Sequence, residues 1–106
     1  MPVTQTVVYQ KSGATFSSGL EAYQDKNSLY SAELTESINQ CHAEMLTNNI
    51  LLGPTTYAWD QATEQLTIQR AISDLEAFQV ARTYDVTAVT DKSVQAGWVF
   101  ISIGIS

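Results

Sequence analysis

The chain has 106 residues, enough for one domain with a buried core and too few for two, so we expect a single domain over residues 1–106. Apolar residues make up 44% of the sequence and charged residues 15%, which is typical of a globular protein. The net charge is -6, and the few basic residues are scattered along the chain. Because a phosphate backbone requires a basic surface, these features argue against nucleic-acid binding.

Cysteine content and hydropathy indicate in which compartment the protein is found. Cys41 is the single cysteine, so an intrachain disulfide framework is excluded. The first residues show neither the basic nor the apolar segment of a signal peptide, and the longest apolar run is far shorter than a membrane span. We therefore expect a soluble, cytoplasmic protein with no membrane partner.

The first strand is predicted over residues 3–10, where valine and threonine alternate with polar residues. Residues 14–27 have weak patterning and are predicted to form a long loop, although Ser18 and Glu21 have the spacing of a capping box that can start one helical turn. Residues 28–48 then change to a helical period. Their apolar stripe predicts an amphipathic helix capped by Ser28 or Ser31.

A β-hairpin is predicted over residues 55–72, with Asp60 accepting backbone hydrogen bonds in the turn. Ser73 and Glu76 then form a capping box, which predicts a second helix to about residue 83. Residues 84–89 are expected to be irregular and residues 90–96 to form a short helical turn. Gly97 is expected to end that turn in the left-handed conformation.

The last strand is predicted over residues 98–105, which are rich in β-branched and aromatic residues and carry no charge. Strict alternation would divide its larger side chains between two faces. The first face would hold Val99, Ile101, Ile103 and Ile105 and would meet the helices. The second face would hold Trp98 and Phe100.

The order strand, helix, strand, strand, helix, strand predicts an α+β fold, the ferredoxin-like βαββαβ sandwich, with a four-stranded antiparallel sheet and two helices on one face. In that arrangement the first and third strands are central and the second and fourth lie at the edges. The most apolar strand would therefore be an exposed edge, which invites pairing with another chain.

The element order, the size, the hairpin at Trp59 and Asp60 and the helix start at Ser73 and Glu76 resemble the small ferredoxin-like proteins that pair as dimeric α/β barrels. That superfamily includes antibiotic-biosynthesis-type monooxygenases, haem-degrading enzymes and many small proteins of unassigned role, some from phages. The resemblance implies the fold and the habit of pairing. The asparagine and histidine positions typical of the cofactor-free monooxygenases have no counterpart here, so it implies no catalytic residue.

Aromatic residues suggest where pairing would occur. Tyr57 and Trp59 share one parity and are expected to join Trp98 and Phe100 on a sheet face that the helices leave uncovered. Burial of these rings by a second copy would contribute on the order of several kcal/mol, so we expect a homodimer. Two alternatives remain open: the rings pack beneath residues 14–27 and 84–96, or they line a ligand cavity.

Two functions follow from these patterns. The first is a non-enzymatic, self-associating domain with an assembly or partner-binding role. The second is a small apolar-ligand binder or a cofactor-independent monooxygenase-like enzyme. Its cavity between helices and sheet would be lined by Tyr30, Tyr57, Trp59, Trp98 and Phe100 and would admit His42. The first is favoured because convergent polar groups are not evident, and we predict no catalytic residue, metal or cofactor.

The remaining reactive residues have structural explanations. Cys41 lies on the apolar stripe of the first long helix and is expected to be a small core residue. His42 follows it directly, so the two side chains diverge by about 100° and cannot grip one metal together. Arg70 shares parity with apolar residues of its strand, which predicts that it lies at the sheet rim or pairs with Asp74 or Glu76.

Overall fold

The computed structural model describes residues 3–49, 51–52, 55–73 and 86–105. The α+β class predicted from the sequence is confirmed, as is the four-stranded antiparallel sheet. The elements of the described part, in chain order, are β1 (Val3–Gln10), α1 (Gly19–Lys26), α2 (Ala32–Thr47), β2 (Thr56–Asp60), β3 (Gln65–Ile72), α3 (Val86–Gln95) and β4 (Val99–Ile105).

The strand order is β2-β3-β1-β4, with β1 and β3 in the centre and β2 and β4 at the edges, as predicted. The described part holds three helices, whereas the sequence predicts two. The predicted helix that begins at Ser73 falls in residues 74–85, outside the described residues. The finer ferredoxin-like assignment therefore stays a prediction.

The prediction that residues 14–27 form a loop is wrong for Gly19–Lys26, which form helix α1. The Ser18 side chain accepts a hydrogen bond from the Glu21 backbone N–H at 3.2 Å, so the capping-box spacing does mark a helix start. Ala22 is fully buried and packs in one cluster with Tyr9 and Leu66 of the sheet. The weak sequence pattern hides this helix because one small residue, rather than an apolar stripe, makes the central contact.

Helix α2 lies within the predicted range, and its first turn is capped by Ser31, which accepts from the Leu34 N–H at 3.0 Å. Met45 is buried in a second cluster with Leu51 and Ile72. Helix α2 therefore packs near the Ile72 end of β3, whereas Leu66, near the other end of the strand, lies in the cluster that contains Ala22 of α1.

The connections mostly follow the predicted turn chemistry. Asp60 Oδ1 accepts a hydrogen bond from the Ala62 N–H at 2.9 Å in the hairpin turn. Gly97 has a φ of +94° and ends the third helix, as predicted. The prediction that residues 84–89 are irregular is wrong for Val86 onward, because α3 begins there.

A β-bulge in β4 overturns the predicted alternation of the last strand. Val8 of β1 pairs with Ser102 and Tyr9 pairs with Phe100, so Ile101 has no partner on β1. One extra residue shifts the parity of a strand. Phe100 consequently shares a face with Ile103, and that face is the one that the helices cover.

We call this the covered face, and the opposite side of the sheet the open face. Val99 lies on the open face and is 58% exposed, and the bulged Ile101 is 44% exposed, so the prediction that they meet the helices is wrong. The prediction that Trp98 and Phe100 lie on an uncovered face is also wrong. Trp98 is 0% exposed within its own chain.

The Trp98 ring lies inside an aromatic cluster at one end of the covered face. Its centroid is 5.8 Å from that of Trp59, in an edge arrangement, and 5.8 Å from that of Phe16, in a stacked one. The indole N–H donates to Asp25 Oδ2 at 3.1 Å, and Lys11 Nζ lies 2.6 Å from the same oxygen. These contacts agree with the first part of the alternative that the rings pack beneath residues 14–27 and 84–96, and residues 84 and 85 lie outside the described residues.

Two glycines provide a matched test of the packing of α1 on β2. A Cβ at position 19 would collide with the backbone of Tyr57 and Ala58, whereas a Cβ at position 104 would meet nothing within 4 Å. We expect Gly19→Ala to lower the free energy of unfolding by about 1–3 kcal/mol, because backbone must move to admit the methyl group. Gly104→Ala should change it by less than about 0.5 kcal/mol.

Urea unfolding followed by circular dichroism measures both changes. Equal stabilities for the two variants would contradict the close approach of α1 to β2.

Candidate functional site

A pocket of about 190 Å³ lies on the covered face. Helix α2 forms one wall with residues at helical spacing, α1 contributes one tyrosine, and residues at β2 and β3 form the floor. The lining residues are Tyr23, Ile38, Asn39, His42, Met45, Thr55, Tyr57 and Arg70.

The pocket coincides with a polar interruption of the core. One apolar cluster contains Ile68 and the other contains Ile72. Arg70 lies between them on the same face of β3, opposite Gln5 of β1. An apolar residue at position 70 would join the two clusters, so the arginine marks the place where the covered face departs from a plain hydrophobic core.

The Arg70 guanidinium has no hydrogen-bond or ion-pair partner among the residues that the structure describes. It is half-buried and lines the pocket. The predicted pairing with Asp74 or Glu76 falls on residues outside the described ranges.

The shifted pKa values of two lining side chains, His42 and Tyr57, favour their neutral forms. Burial first, and then the Arg70 guanidinium, lower the pKa of His42 below its ordinary value of 6.5. Burial also raises the pKa of the Tyr57 phenol above its ordinary value of 10.0, with a further contribution from Tyr23. Among the lining residues, the arginine therefore supplies the permanent charge and the others supply neutral hydrogen-bonding groups.

A buried lysine lies next to Tyr23, one of the residues that line the pocket. Lys26 is 3% exposed, and its Nζ is 4.9 Å, 5.0 Å and 5.1 Å from the ring centroids of Tyr9, Tyr23 and Tyr30. We call these three residues the tyrosine cage. Burial first, and then the charge of Arg70, lower the pKa of the amine from 10.5 to about 7. The three ring faces favour the ammonium form and oppose that shift.

Lys26 also connects two helices through hydrogen bonds. Its Nζ donates to Asn27 Oδ1 at 2.7 Å and to the Tyr30 hydroxyl at 2.9 Å. That hydroxyl lies 3.2 Å from Ser93 Oγ of α3. Lys26 and Tyr30 thus hold the end of α1 close to α3, which gives both residues a structural role.

The structure separates the residues that the sequence predicts as a ligand or interface set. Tyr57 and His42 meet in the pocket, whereas Tyr30 lies in the tyrosine cage. Trp59 and Trp98 belong to the aromatic cluster. Phe100 packs edge-on against Tyr9, with ring centroids 5.6 Å apart. A single cavity lined by all the predicted rings is therefore not what the described residues form.

Sequence reasoning missed the residues that give the pocket its polarity. The sequence analysis predicts that Arg70 lies at the rim or pairs with an acid, although a charged residue in phase with Leu66, Ile68 and Ile72 is also a signal of a polar position inside the covered face. Asn39 carries no comparable signal. Only the position of α2 relative to β3 brings it into the same pocket as Arg70.

The remaining chemical candidates are structural. Cys41 is half-buried against the cluster that contains Met45, and burial raises the pKa of its thiol above the ordinary 9.0. Within the described ranges, no three side chains of histidine, cysteine, aspartate or glutamate come together as metal ligands would. The helices of the described part are all too short or too polar to cross a membrane.

No protein-family model matches the chain, and neither a curated protein nor a solved structure matches it significantly. The functional argument therefore rests on the geometry of the pocket and of the sheet.

Replacement of Lys26 tests the electrostatics of the tyrosine cage. Between about pH 7 and pH 10 the unfolded chain binds a proton at this amine that the folded chain has lost, so folding stability should rise with pH. We expect the wild type to gain on the order of 1–3 kcal/mol relative to Lys26→Met across this range, because the ring faces offset part of the desolvation.

Urea unfolding at several pH values measures this difference. Lys92→Met is the matched control, since the Lys92 amine reaches Gln95 at 3.5 Å on the exposed side of α3. A wild-type minus Lys26→Met difference that stays constant from pH 7 to pH 10 would show that the amine keeps its ordinary pKa.

Proposed function

We propose that the protein is a small self-associating domain in which two copies pair through their β4 strands and so serve an assembly or partner-binding role. The supporting observation is the position of β4. It lies at the edge of the sheet, with one long side joined to β1. An edge strand presents unpaired backbone groups that a second strand can satisfy.

The side chains of β4 favour pairing as well. Val99, Ile101 and Ile105 are 58%, 44% and 38% exposed, although all three are β-branched and apolar. No charged residue or proline occurs from position 98 to position 105. Charged residues and proline are the residues with which proteins commonly protect an edge strand from pairing. Partial burial of the three side chains would contribute on the order of a few kcal/mol.

The other edge of the sheet is less suited to pairing. Strand β2 is shorter and ends in Asp60. The backbone of Gly19 at the start of α1 also packs closely against the carbonyl of Tyr57. Because β4 lacks both features, the two edges differ, and a two-fold pairing of β4 with β4 closes at two copies.

The bulge at Ile101 shapes the paired region. A bulge bends its strand and increases the local twist, so the regular segment from Ser102 to Ile105 offers the straighter edge. Ile101 itself projects from the bulge and remains exposed. We place it at the margin of the paired segment, where a charge would be poorly tolerated. The resemblance to dimeric α/β barrels predicts pairing too, and it remains a resemblance.

We expect the wild type to sediment as a dimer at about 10–100 µM, and Ile101→Lys to sediment as a monomer, because the substitution places a charge at the pairing edge. Val94→Lys is the matched control, since Val94 is an equally apolar and exposed residue (56%) that lies on helix α3 and not on a strand. It should leave the dimer intact. Trp98→Ala does not serve as a test, because Trp98 belongs to the core.

Analytical ultracentrifugation distinguishes these outcomes, with circular dichroism to show that each variant is folded. A wild type that is monomeric at about 100 µM contradicts the proposal. So does equal dissociation of the Ile101→Lys and Val94→Lys variants.

A further inference from the structure

The pocket around Arg70 has an unbalanced charge. Its floor carries a guanidinium, and none of its lining residues is acidic. Within the part of the chain that the structure describes, no carboxylate lies within ion-pair distance of Arg70. In a protein of net charge -6, a half-buried cation without a carboxylate beside it is an uncommon arrangement, because buried charges are ordinarily paired.

The remaining lining divides into a polar part and an apolar part. Asn39, Thr55 and His42 provide neutral hydrogen-bonding groups in the same pocket as the guanidinium. Ile38 and Met45 provide an aliphatic wall. A pocket with a few aimed polar groups on an apolar surface is the usual form of a small-molecule site.

We propose that the Arg70 pocket binds a small organic carboxylate, with the carboxylate on the Arg70 guanidinium and the apolar body of the ligand against Ile38 and Met45. The planar fork of arginine matches the two oxygens of a carboxylate. This proposal does not depend on the pairing of two copies, because the pocket lies over β2 and β3, whereas the pairing strand β4 is at the opposite edge of the sheet.

The volume of the pocket suits a small carboxylate, and its charge favours a carboxylate over a phosphate ester. The pocket volume is about 190 Å³, and a protein cavity of roughly 150 Å³ holds benzene, so a benzoate-sized ligand fits. A phosphate dianion would call for more positive charge or for the free N–H groups of a helix N-terminus. Helix α2 begins at Ala32, whereas its pocket residues start at Ile38, beyond the first turn.

Benzoate is the probe, and benzamide is its neutral analogue of the same shape. In ¹H–¹⁵N NMR titrations at matched ionic strength, we expect benzoate to shift the resonances of Asn39, His42 and Arg70. Its affinity should exceed that of benzamide by about tenfold or more, which is the effect of a charge-assisted hydrogen-bonded pair.

Substitution of Arg70 separates the contribution of its charge to ligand binding from the contribution of the shape of the pocket. Arg70→Gln should weaken benzoate binding by about tenfold or more and leave benzamide binding nearly unchanged, and Arg70→Lys should lie between Arg70→Gln and the wild type. Lys92→Gln removes a cation from exposed α3 and should bind benzoate like the wild type. The comparison of benzoate with benzamide on the wild type keeps the test valid if an Arg70 variant does not fold.

Three results would overturn the proposal. The first is the absence of shifts at the pocket residues at about 20 mM benzoate. The second is equal binding of benzoate and benzamide by the wild type. The third is benzoate binding by a folded Arg70→Gln variant that equals wild-type binding. Loss of dimerisation in Ile101→Lys would not affect any of these measurements, so this proposal and the pairing proposal fail separately.

Discussion

The arrangement of the last strand depends on one unpaired residue. Because Ile101 bulges from β4, Phe100 faces the same side of the sheet as Ile103. Without the bulge, alternation along β4 would turn Phe100 away from the helices. The bulge therefore places Phe100, from the first half of β4, and Ile103, from the second half, on the covered face. It also leaves Val99 and Ile101 exposed at the edge of the sheet.

The core of this domain has two parts, and the polar gap between them is its most distinctive feature. The aromatic cluster around Trp98 is held together by ring contacts and by the indole hydrogen bond to Asp25. The second cluster forms where Met45 meets Ile72. Arg70 occupies the gap and influences its surroundings, since it contributes to the lowered pKa values of His42 and Lys26.

The two proposed activities use opposite ends of the strand order. Pairing would use β4, whereas carboxylate binding would use the pocket over β2 and β3. Each proposal explains side chains whose positions are unfavourable in an isolated chain. Pairing explains the exposed aliphatic side chains of β4, and carboxylate binding explains the half-buried cation of Arg70. Their separation means that an edge variant and a pocket variant report on different properties.

The sequence by itself determined the α+β class, the bounds of β1, the hairpin turn at Asp60 and the helix end at Gly97, because these depend on local periodicity and turn chemistry. It could not determine the faces of β4, since a bulge depends on pairing with β1, nor helix α1, which is held by the burial of Ala22. The tertiary structure alone brought Asn39 and His42 to Arg70. Such a site depends on how α2 lies across the sheet, and periodicity within either element carries no information about that placement.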